Sequence, residues 1–311
     1  MILKDLTFLD NLQLDEYKKF FGNKSKEPNK NQNHRSSMML NPLNLKHLNS
    51  IDNSIADVIT INLEDAIAPS RKKEALYNTA MFLSHLESST STIIVRINPL
   101  NNGGTEEMNM LNEFSFDAYR VPKVRNSSDV ELALKLSNQD KEIHISLETK
   151  EAFSSISSLK VDNRVTTANL GILDLLVSLG LPQSLITHHN PTVSYILSKF
   201  LVDCRSANIH PVSFMYQEYE NREDFRKWCE IERQMGFTSK ACMGPKQVVI
   251  ANEIFGINEH EIQRALEIKK LFEDSSSSGI NGFISDDYGF IDEPIYKDAL
   301  NILIMNKNYG M

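Results

Sequence analysis

The chain has 311 residues, of which 41% are hydrophobic, and this is enough for one large domain because α/β barrels commonly run to about 250 residues. Its net charge of −8 argues against nucleic acid as a partner, since proteins that follow a polyphosphate backbone usually carry a basic face. The cysteines form no CxxC pair and no apolar run is long enough for a signal peptide or a membrane span, which predicts a cytoplasmic protein without disulfides or a membrane partner.

Residues 1–34 are predicted to form a short helix followed by a flexible connector. The connector, residues 22–34, is rich in Asn, Lys and Pro and lacks apolar periodicity. We therefore expect the main folded domain to begin near Arg35 and to run to residue 274.

From Arg35 onward, short β-branched runs alternate with longer helical patterns, which is typical of repeated βαβ units around a parallel sheet. Eight strands are predicted, at Ser36–Leu40, Asp57–Leu63, Thr92–Ile97, Ala118–Lys123, Glu142–Leu147, Arg164–Leu170, Ile209–Phe214 and Ser239–Met243. Their number and alternation favour a closed (β/α)8 TIM barrel. The absence of a GxGxxG motif after the first strand argues against a dinucleotide-binding sheet.

The last segment, residues 275–311, is predicted to be an appendage of the barrel. The run Ser275–Gly279 follows an amphipathic helical pattern and indicates a hinge or linker. A glycine-punctuated stretch and a helix from about Pro294 follow it, so we expect a C-terminal helical lid over the barrel mouth that also serves oligomerisation.

Charged residues stand at the carboxyl ends of several predicted strands, where barrels of this kind gather their reactive groups. They are Glu64 and Asp65 after the second strand, Arg96 at the third, Lys123 at the fourth, Glu148 at the fifth and Asp174 after the sixth. The charges therefore point to a site at that end of the barrel.

The carboxylates among these residues predict a divalent-cation site. Several negative charges in one mouth raise their own pKa values unless a cation neutralises them. Mg²⁺, or Mn²⁺ in its place, prefers oxygen ligands and needs one or two carboxylates besides water and substrate oxygens, so Glu148 and Asp174 suffice. For Glu64 and Asp65 hydrogen bonding beside the metal is the favoured role, and the alternative for all four is a helix-capping or solvated position.

Arg96 lies in the segment Val95–Pro99, where an apolar strand delivers a guanidinium to the mouth with no neighbouring carboxylate in the sequence. Such a group suits an oxyanion, and the loss of one oxyanion donor typically costs about 3 kcal/mol of transition-state stabilisation. The alternative is a set of internal salt bridges with Glu64 or Glu148.

Several of these segments resemble the motifs of one known family. Asn62–Pro69 is similar to its Asp-Leu-Glu-Asp-Ala-Val motif, Leu147–Thr149 to its Ile-Glu-Thr motif, and Ile291–Pro294 to its lid motif. The chain thus resembles the HpcH/HpaI aldolase/citrate lyase family and, within it, the branch of citrate lyase beta subunits and malyl-CoA lyases.

The resemblance implies a magnesium-dependent lyase that breaks or forms the carbon–carbon bond between a 2-oxo acid and an acyl-coenzyme A, as with citryl-CoA or malyl-CoA. It implies Glu148 and Asp174 as the metal ligands. It also implies Asp292 as the acid/base, reaching into the site of a neighbouring subunit, and hence a homo-oligomer, a trimer or a multiple of one.

The other predicted site residues divide into two groups. The predicted catalytic residues, besides Asp292, are Arg96, Glu64 and Asp65. The predicted substrate-binding residues are Arg35, Arg96, Lys123 and Asn98.

Two segments depart from the family pattern and leave two alternatives open. Leu40–Pro42 stands where the family has Val-Pro-Gly, in a loop that helps to seat coenzyme A, and this motivates a coenzyme A-independent aldolase acting on free 2-oxo acids. Met243–Pro245 stands where the family has Ile-His-Pro, and Gly244 has no side chain to donate a hydrogen bond. That loss motivates the second alternative, a non-catalytic citrate lyase-like subunit.

Overall fold

A computed structural model describes residues 1–14, 16–27 and 33–308 of the chain. The chain divides into two compact units, the first extending to Phe255 and the second beginning at Gly256. This boundary differs from the predicted one at residue 274. Residues 28–32 of the predicted connector lie outside the described residues, as do residues 309–311 of the predicted lid.

The first unit is an eight-stranded parallel barrel. Its strands are β1 (Ser36–Leu40), β2 (Val58–Asn62), β3 (Thr92–Arg96), β4 (Ala118–Val121), β5 (Glu142–Leu147), β6 (Val165–Leu170), β7 (His210–Val212) and β8 (Lys240–Cys242). The strands follow one another in sequence order from β1 to β7, and β8 pairs with β1. A parallel bridge between Ser213 and Lys240 joins the two remaining edges. The predicted barrel is confirmed.

Helices alternate with the strands along the chain. They are α1 (Leu45–Leu48), α2 (Lys72–Leu83), α3 (Thr105–Leu111), α4 (Ser127–Leu136), α5 (Lys150–Ser154), α6 (Ile172–Ser178), α7 (Pro191–Ser206), α8 (Arg222–Met235) and α9 (Pro245–Ile254). Asn side chains begin several of them by accepting hydrogen bonds from the first free backbone amides, as Asn190 does at α7. The helices cover the outside of the sheet, so its outward-facing residues form the main core.

Alternation along the strands separates this core from a second apolar cluster. Ile59 and Ile61 of β2 belong to the main core, whereas Val58, Ile94 and Ala118 form a small cluster of their own. Successive residues of a strand point to opposite faces, so this cluster fills the inside of the barrel.

The same alternation makes the inside of the barrel polar at its carboxyl end. Asn62 lies four residues beyond Val58 on β2, and Arg96 and Arg120 lie two residues beyond the apolar positions of β3 and β4. These three side chains therefore stand directly above the apolar cluster, where they form the floor of a cavity.

The N-terminal segment differs from the predicted helix and flexible connector. It contains two short 3-10 helices, Thr7–Asn11 and Tyr17–Phe20. The hydroxyl of Tyr17, which is buried, donates to Asn78 of α2 at 2.9 Å. The buried ammonium of Lys26 forms an ion pair with Asp117 at 2.9 Å. Residues 22–27 are therefore bound along the barrel rather than free of it.

The second unit contains α10 (Glu259–Ser277), β9 (Gly282–Ser285), β10 (Gly289–Asp292) and α11 (Glu293–Asn308). The two strands form an antiparallel hairpin. Ile268 and Phe272 of α10 are buried together with Ile291 of β10 and Ala299 of α11. Helix α10 continues through most of the predicted hinge, and Gly279 follows with φ +82°. The helix predicted from about Pro294 begins at Glu293.

None of the helices in the described part of the chain combines the length and the apolar character needed to cross a bilayer.

Candidate active site

A cavity of about 420 Å³ lies at the carboxyl ends of the barrel strands. Four of the residues predicted for the site line it, namely Asp65, Arg96, Glu148 and Asp174. The parallel sheet brings them together because all its strands deliver their carboxyl ends to one rim.

Arg96 is the centre of an ion-pair network at the cavity floor. Its guanidinium lies 2.6 Å from Glu64, 3.0 Å from Asp65 and 3.5 Å from Glu148. The internal salt bridges considered as an alternative for Arg96 are thus present. They fix the guanidinium in the cavity wall, and its buried Nε has no hydrogen-bond partner among the described residues.

Glu64 and Asp65 are neighbours beside Arg96, but their pKa values shift in opposite directions. Burial raises the pKa of Glu64 to about 7 despite the opposing charge of Arg96. Burial also acts to raise the pKa of Asp65, but a hydrogen bond with Glu64 and the Arg96 charge outweigh it and lower that pKa. At mildly acidic pH, Glu64 is therefore the member of the pair that carries the proton.

Glu148 is buried and held from two sides. Its Oε1 accepts a hydrogen bond from the backbone N–H of Lys123 at 2.7 Å. A Cβ added at Gly171 would lie 2.8 Å from Glu148 Oε2, so only glycine at this position leaves room for the carboxylate. The carboxylate therefore has a defined position in the cavity wall.

Asp174 lies in the first turn of α6 and is linked to Glu148 through Lys123. The Lys123 ammonium is 2.8 Å from Asp174 and 3.9 Å from Glu148. Burial acts to lower the pKa of Lys123, but the two carboxylates outweigh it and raise that pKa. A cationic group thus stands beside both predicted metal ligands.

This donor set fits Mg²⁺. In the described part of the chain, no group of three or more His, Cys, Asp or Glu side chains has the geometry to hold a metal. Two carboxylates facing one cavity are nevertheless the usual protein contribution to a Mg²⁺ site, in which water and substrate supply the other oxygens.

Two of the predicted substrate-binding residues lie elsewhere. Asn98 is buried behind the cavity, where its side chain donates to the Leu63 carbonyl at 3.0 Å and its backbone N–H donates to Glu107 at 2.7 Å. Arg35 precedes β1, at the amino end of the barrel, and pairs there with Asp57 at 2.8 Å. The position of Arg35 does not support a role at the cavity.

Asp292 is the last residue of β10, in the second unit. Its carboxylate accepts a hydrogen bond from the backbone N–H of Ile295 at 3.3 Å, in the first turn of α11. Its role as acid/base stays a prediction.

Arg120 is a cavity residue that the sequence analysis missed. It stands on β4 directly beside Arg96 of β3, and its Nε donates to the Ser146 hydroxyl at 2.8 Å. Burial and, second, the Arg96 charge lower its pKa to about 9. A signal was present in the sequence, because Arg120 is the charged residue within the otherwise uncharged strand Ala118–Val121.

The departures in the family pattern shape the rim of the cavity. Asn41 and Met243 both line it. At Gly244, an added Cβ would lie 2.8 Å from the Tyr219 hydroxyl, so the space beside this glycine is taken by Tyr219.

Comparison with known proteins gives consistent matches. A family model described as HpcH/HpaI aldolase/citrate lyase matches residues 35–245, which include all eight barrel strands. Citrate lyase subunit beta of Leuconostoc mesenteroides subsp. cremoris is 26% identical over 266 residues, covering 82% of this chain and 87% of that protein. A (3S)-malyl-CoA thioesterase of Cereibacter sphaeroides is 27% identical over 228 residues, covering 72% and 78%.

Among solved structures, protein CitE from Mycobacterium tuberculosis, in complex with magnesium, acetoacetate and coenzyme A, superimposes with a TM-score of 0.70. It is 15% identical, and the match covers 89% of this chain and 99% of that chain. At this identity the match supports the fold.

Proposed function

Because the chain belongs to the HpcH/HpaI aldolase/citrate lyase family, we propose that it is a Mg²⁺-dependent carbon–carbon lyase acting on a 3-hydroxyacyl-coenzyme A of the citryl-CoA or malyl-CoA type. Cleavage would give a 2-oxo acid and an acyl-coenzyme A, and the reverse reaction would condense them. The observation that carries the proposal is the meeting of Glu148, Asp174 and Arg96 in one cavity.

Glu148 and Asp174 are the residues that would hold the Mg²⁺, or Mn²⁺ in its place. When bound, the ion supplies a Lewis acid for the carbonyl of the 2-oxo acid. Glu148 is fixed by Lys123 N–H and by the close approach of Gly171, whereas Asp174 is half-exposed on α6. This arrangement pairs one rigid ligand with one that can adjust.

Arg96 would stabilise the enolate oxygen of the acyl thioester. Its three carboxylate partners orient the guanidinium before the substrate binds, so little reorganisation is needed as charge develops on that oxygen. Glu64 and Asp65 are in this proposal the groups that hold Arg96 in place.

Proton transfer is assigned to Asp292, as base in condensation and as acid in cleavage. We propose that it acts in the site of a neighbouring copy within a homo-oligomer, a trimer or a multiple of one. The cytoplasm is the proposed location.

An open groove beside the cavity is a suitable place for coenzyme A. It measures about 600 Å³ and shares Asn41 and Ala66 with the cavity. Lys46 and Arg71 line it, and these cations suit the phosphate groups of the nucleotide. The groove favours the coenzyme A-dependent reaction over an aldolase on free acids.

The proposal is tested with Glu148→Gln and Asp174→Asn. Each should lower Mg²⁺-dependent turnover of malyl-CoA or citryl-CoA by at least about a hundredfold, because the Lewis acid contributes several kcal/mol to the transition state. Glu151→Gln, which changes an exposed carboxylate on α5, is the matched control and should retain full turnover. Unchanged turnover in either site variant would contradict the proposal.

The same assay separates the alternatives. Measuring both 2-oxo acid and free thiol distinguishes cleavage of the carbon–carbon bond from hydrolysis of the thioester. Coenzyme A thioesters at a hundred times their dissociation constant should add about 2.7 kcal/mol to the free energy of unfolding. Turnover of free acids without this stabilisation would favour the coenzyme A-independent aldolase, and no turnover at all would favour a non-catalytic subunit.

A further inference from the structure

Two arginines stand side by side on the cavity floor, and their surroundings differ. Arg96 and Arg120 are register partners on β3 and β4, both above the apolar cluster inside the barrel. Arg96 is balanced by three carboxylates. Arg120 forms no ion pair with any carboxylate of the described residues, and its one side-chain hydrogen bond there joins Nε to Ser146.

The charge of Arg120 is therefore buried without a direct ion pair, although Glu148, Glu64 and Asp65 act on it from farther away. The residue is only 6% exposed, and its pKa of about 9 keeps the guanidinium charged at neutral pH. Removing a charge from water is costly unless an opposite charge meets it. The Nε–Ser146 bond fixes the guanidinium, while its two terminal nitrogens have no partner among the described residues.

Asn169 extends the same surface. It is the register partner of Ser146 on the neighbouring strand β6, it lines the cavity, and it is 3% exposed. Its side chain makes no hydrogen bond with the described residues. Two buried groups with unused donors thus line the same cavity, and the Ser146 hydrogen bond fixes one of them, Arg120.

We propose that Arg120, with Asn169 beside it, binds a second carboxylate of the substrate, so that the 2-oxo acid used by this chain is dicarboxylic. A planar guanidinium matches a carboxylate with two parallel hydrogen bonds. The inference rests on the proposed function, in which Glu148 and Asp174, through the metal, hold the 2-oxo end and Arg96 faces the enolate oxygen of the acyl thioester. Arg120 then determines specificity, because a monocarboxylic acid leaves its buried charge unpaired.

The experiment compares oxaloacetate with 2-oxobutyrate, which has the same number of carbons but ends in a methyl group. Their dissociation constants are measured by calorimetry in Mg²⁺ for the wild type, Arg120→Met and Arg120→Lys. The wild type should prefer oxaloacetate by about 10- to 100-fold, the range expected for a hydrogen-bonded charge pair. Arg120→Met should abolish this preference by weakening oxaloacetate while 2-oxobutyrate binds as before.

Arg120→Lys should keep only part of the preference, because an ammonium cannot form the two parallel bonds. This variant retains a positive charge at the position, so it still tests the role of Arg120 if Arg120→Met fails to fold. Arg226→Met, which changes a partly exposed arginine on α8 that pairs with Glu253, is the control and should match the wild type.

The outcomes separate the two proposals. Equal preference in the wild type and both Arg120 variants would overturn the role of Arg120 and leave the proposed lyase function standing. A wild type that binds neither acid in Mg²⁺ would contradict the proposed function and the inference with it. A wild type that binds both acids as tightly without Mg²⁺ as with it would do the same.

Discussion

Lys123 lies beside both of the predicted metal ligands. Its ammonium lies 2.8 Å from Asp174 and 3.9 Å from Glu148, in the space between the two carboxylates. Its backbone N–H also binds Glu148, and its φ of +54° lies in the left-handed region that few non-glycine residues adopt. In the proposed site the side chain would therefore compete with Mg²⁺ for the carboxylates, while the backbone positions one of them.

Replacing the side chain should relieve this competition. We expect Lys123→Met to tighten Mg²⁺ binding by roughly threefold to tenfold, because it removes a positive charge a few ångströms from the metal in a partly solvated site. Calorimetric titration with Mg²⁺ alone measures the effect. Lys135→Met, at an exposed position of α4, should leave the affinity unchanged. Weaker binding in Lys123→Met would show that the ammonium does not compete with the metal.

At the scale of secondary-structure elements, three histidines form a group at neighbouring strands. They are His144 of β5, His210 of β7 and His34, which lies just before β1. The rings of His34 and His210 lie 5.2 Å apart, and His144 lies 3.4 Å from the Glu142 carboxylate. Burial lowers the pKa of His210 well below its usual range, and His34, Arg205 and His144 add to this effect. Its Nε2 is buried and has no partner among the described residues.

This group predicts a loss of stability in mild acid. Burial also lowers the pKa of His34, so His34 and His210 bind a proton less readily in the folded barrel than in the unfolded chain, where histidines protonate near pH 6.5. The unfolded state therefore binds more protons below that pH, so the free energy of unfolding falls as the pH falls, by up to about 1.4 kcal/mol per pH unit for each histidine.

Urea unfolding of the wild type between pH 7.5 and pH 5.5 measures the slope of the free energy of unfolding against pH. His210→Leu should make it shallower, whereas His47→Gln, which changes an exposed histidine of α1, should leave it unchanged. A slope that is the same in His210→Leu and the wild type would show that His210 does not titrate differently on folding.

At the scale of the whole molecule, the proposed role of Asp292 depends on the predicted oligomer. Asp292 belongs to the second unit, and the predicted metal ligands belong to the first. If the carboxylate serves a neighbouring copy, one working site needs Glu148 from one chain and Asp292 from another.

Mixing two inactive variants tests this arrangement. Asp292→Asn and Glu148→Gln should each be nearly inactive alone, but subunits exchanged between them should recover activity. With random assembly of equal amounts, roughly a quarter of the sites combine an intact Glu148 with an intact Asp292 from the neighbour. Turnover of the mixture after unfolding and refolding together measures the recovery. Mixtures without any recovery would contradict a role of Asp292 in the site of a neighbouring copy.

The amino-acid sequence by itself determined the barrel and the family. Eight strand patterns separated by helical ones leave few options besides a parallel barrel, and the motifs around Glu64, Glu148 and Asp174 carry the family resemblance, which the family match confirms. The convergence of these charges also followed from the sequence, because parallel strands bring their carboxyl ends to one rim.

Only the tertiary structure decided which side chains share that rim. The inward position of Arg120 beside Arg96 depends on the register of β3 and β4. The hydrogen bond from Asn98 to Glu107 depends on where α3 packs. Arg35 immediately precedes β1 and so lies at the opposite end of the barrel from the cavity. A sequence shows which residues occur on a strand, but the register between strands and the packing of helices fix where each side chain points and which charge it meets.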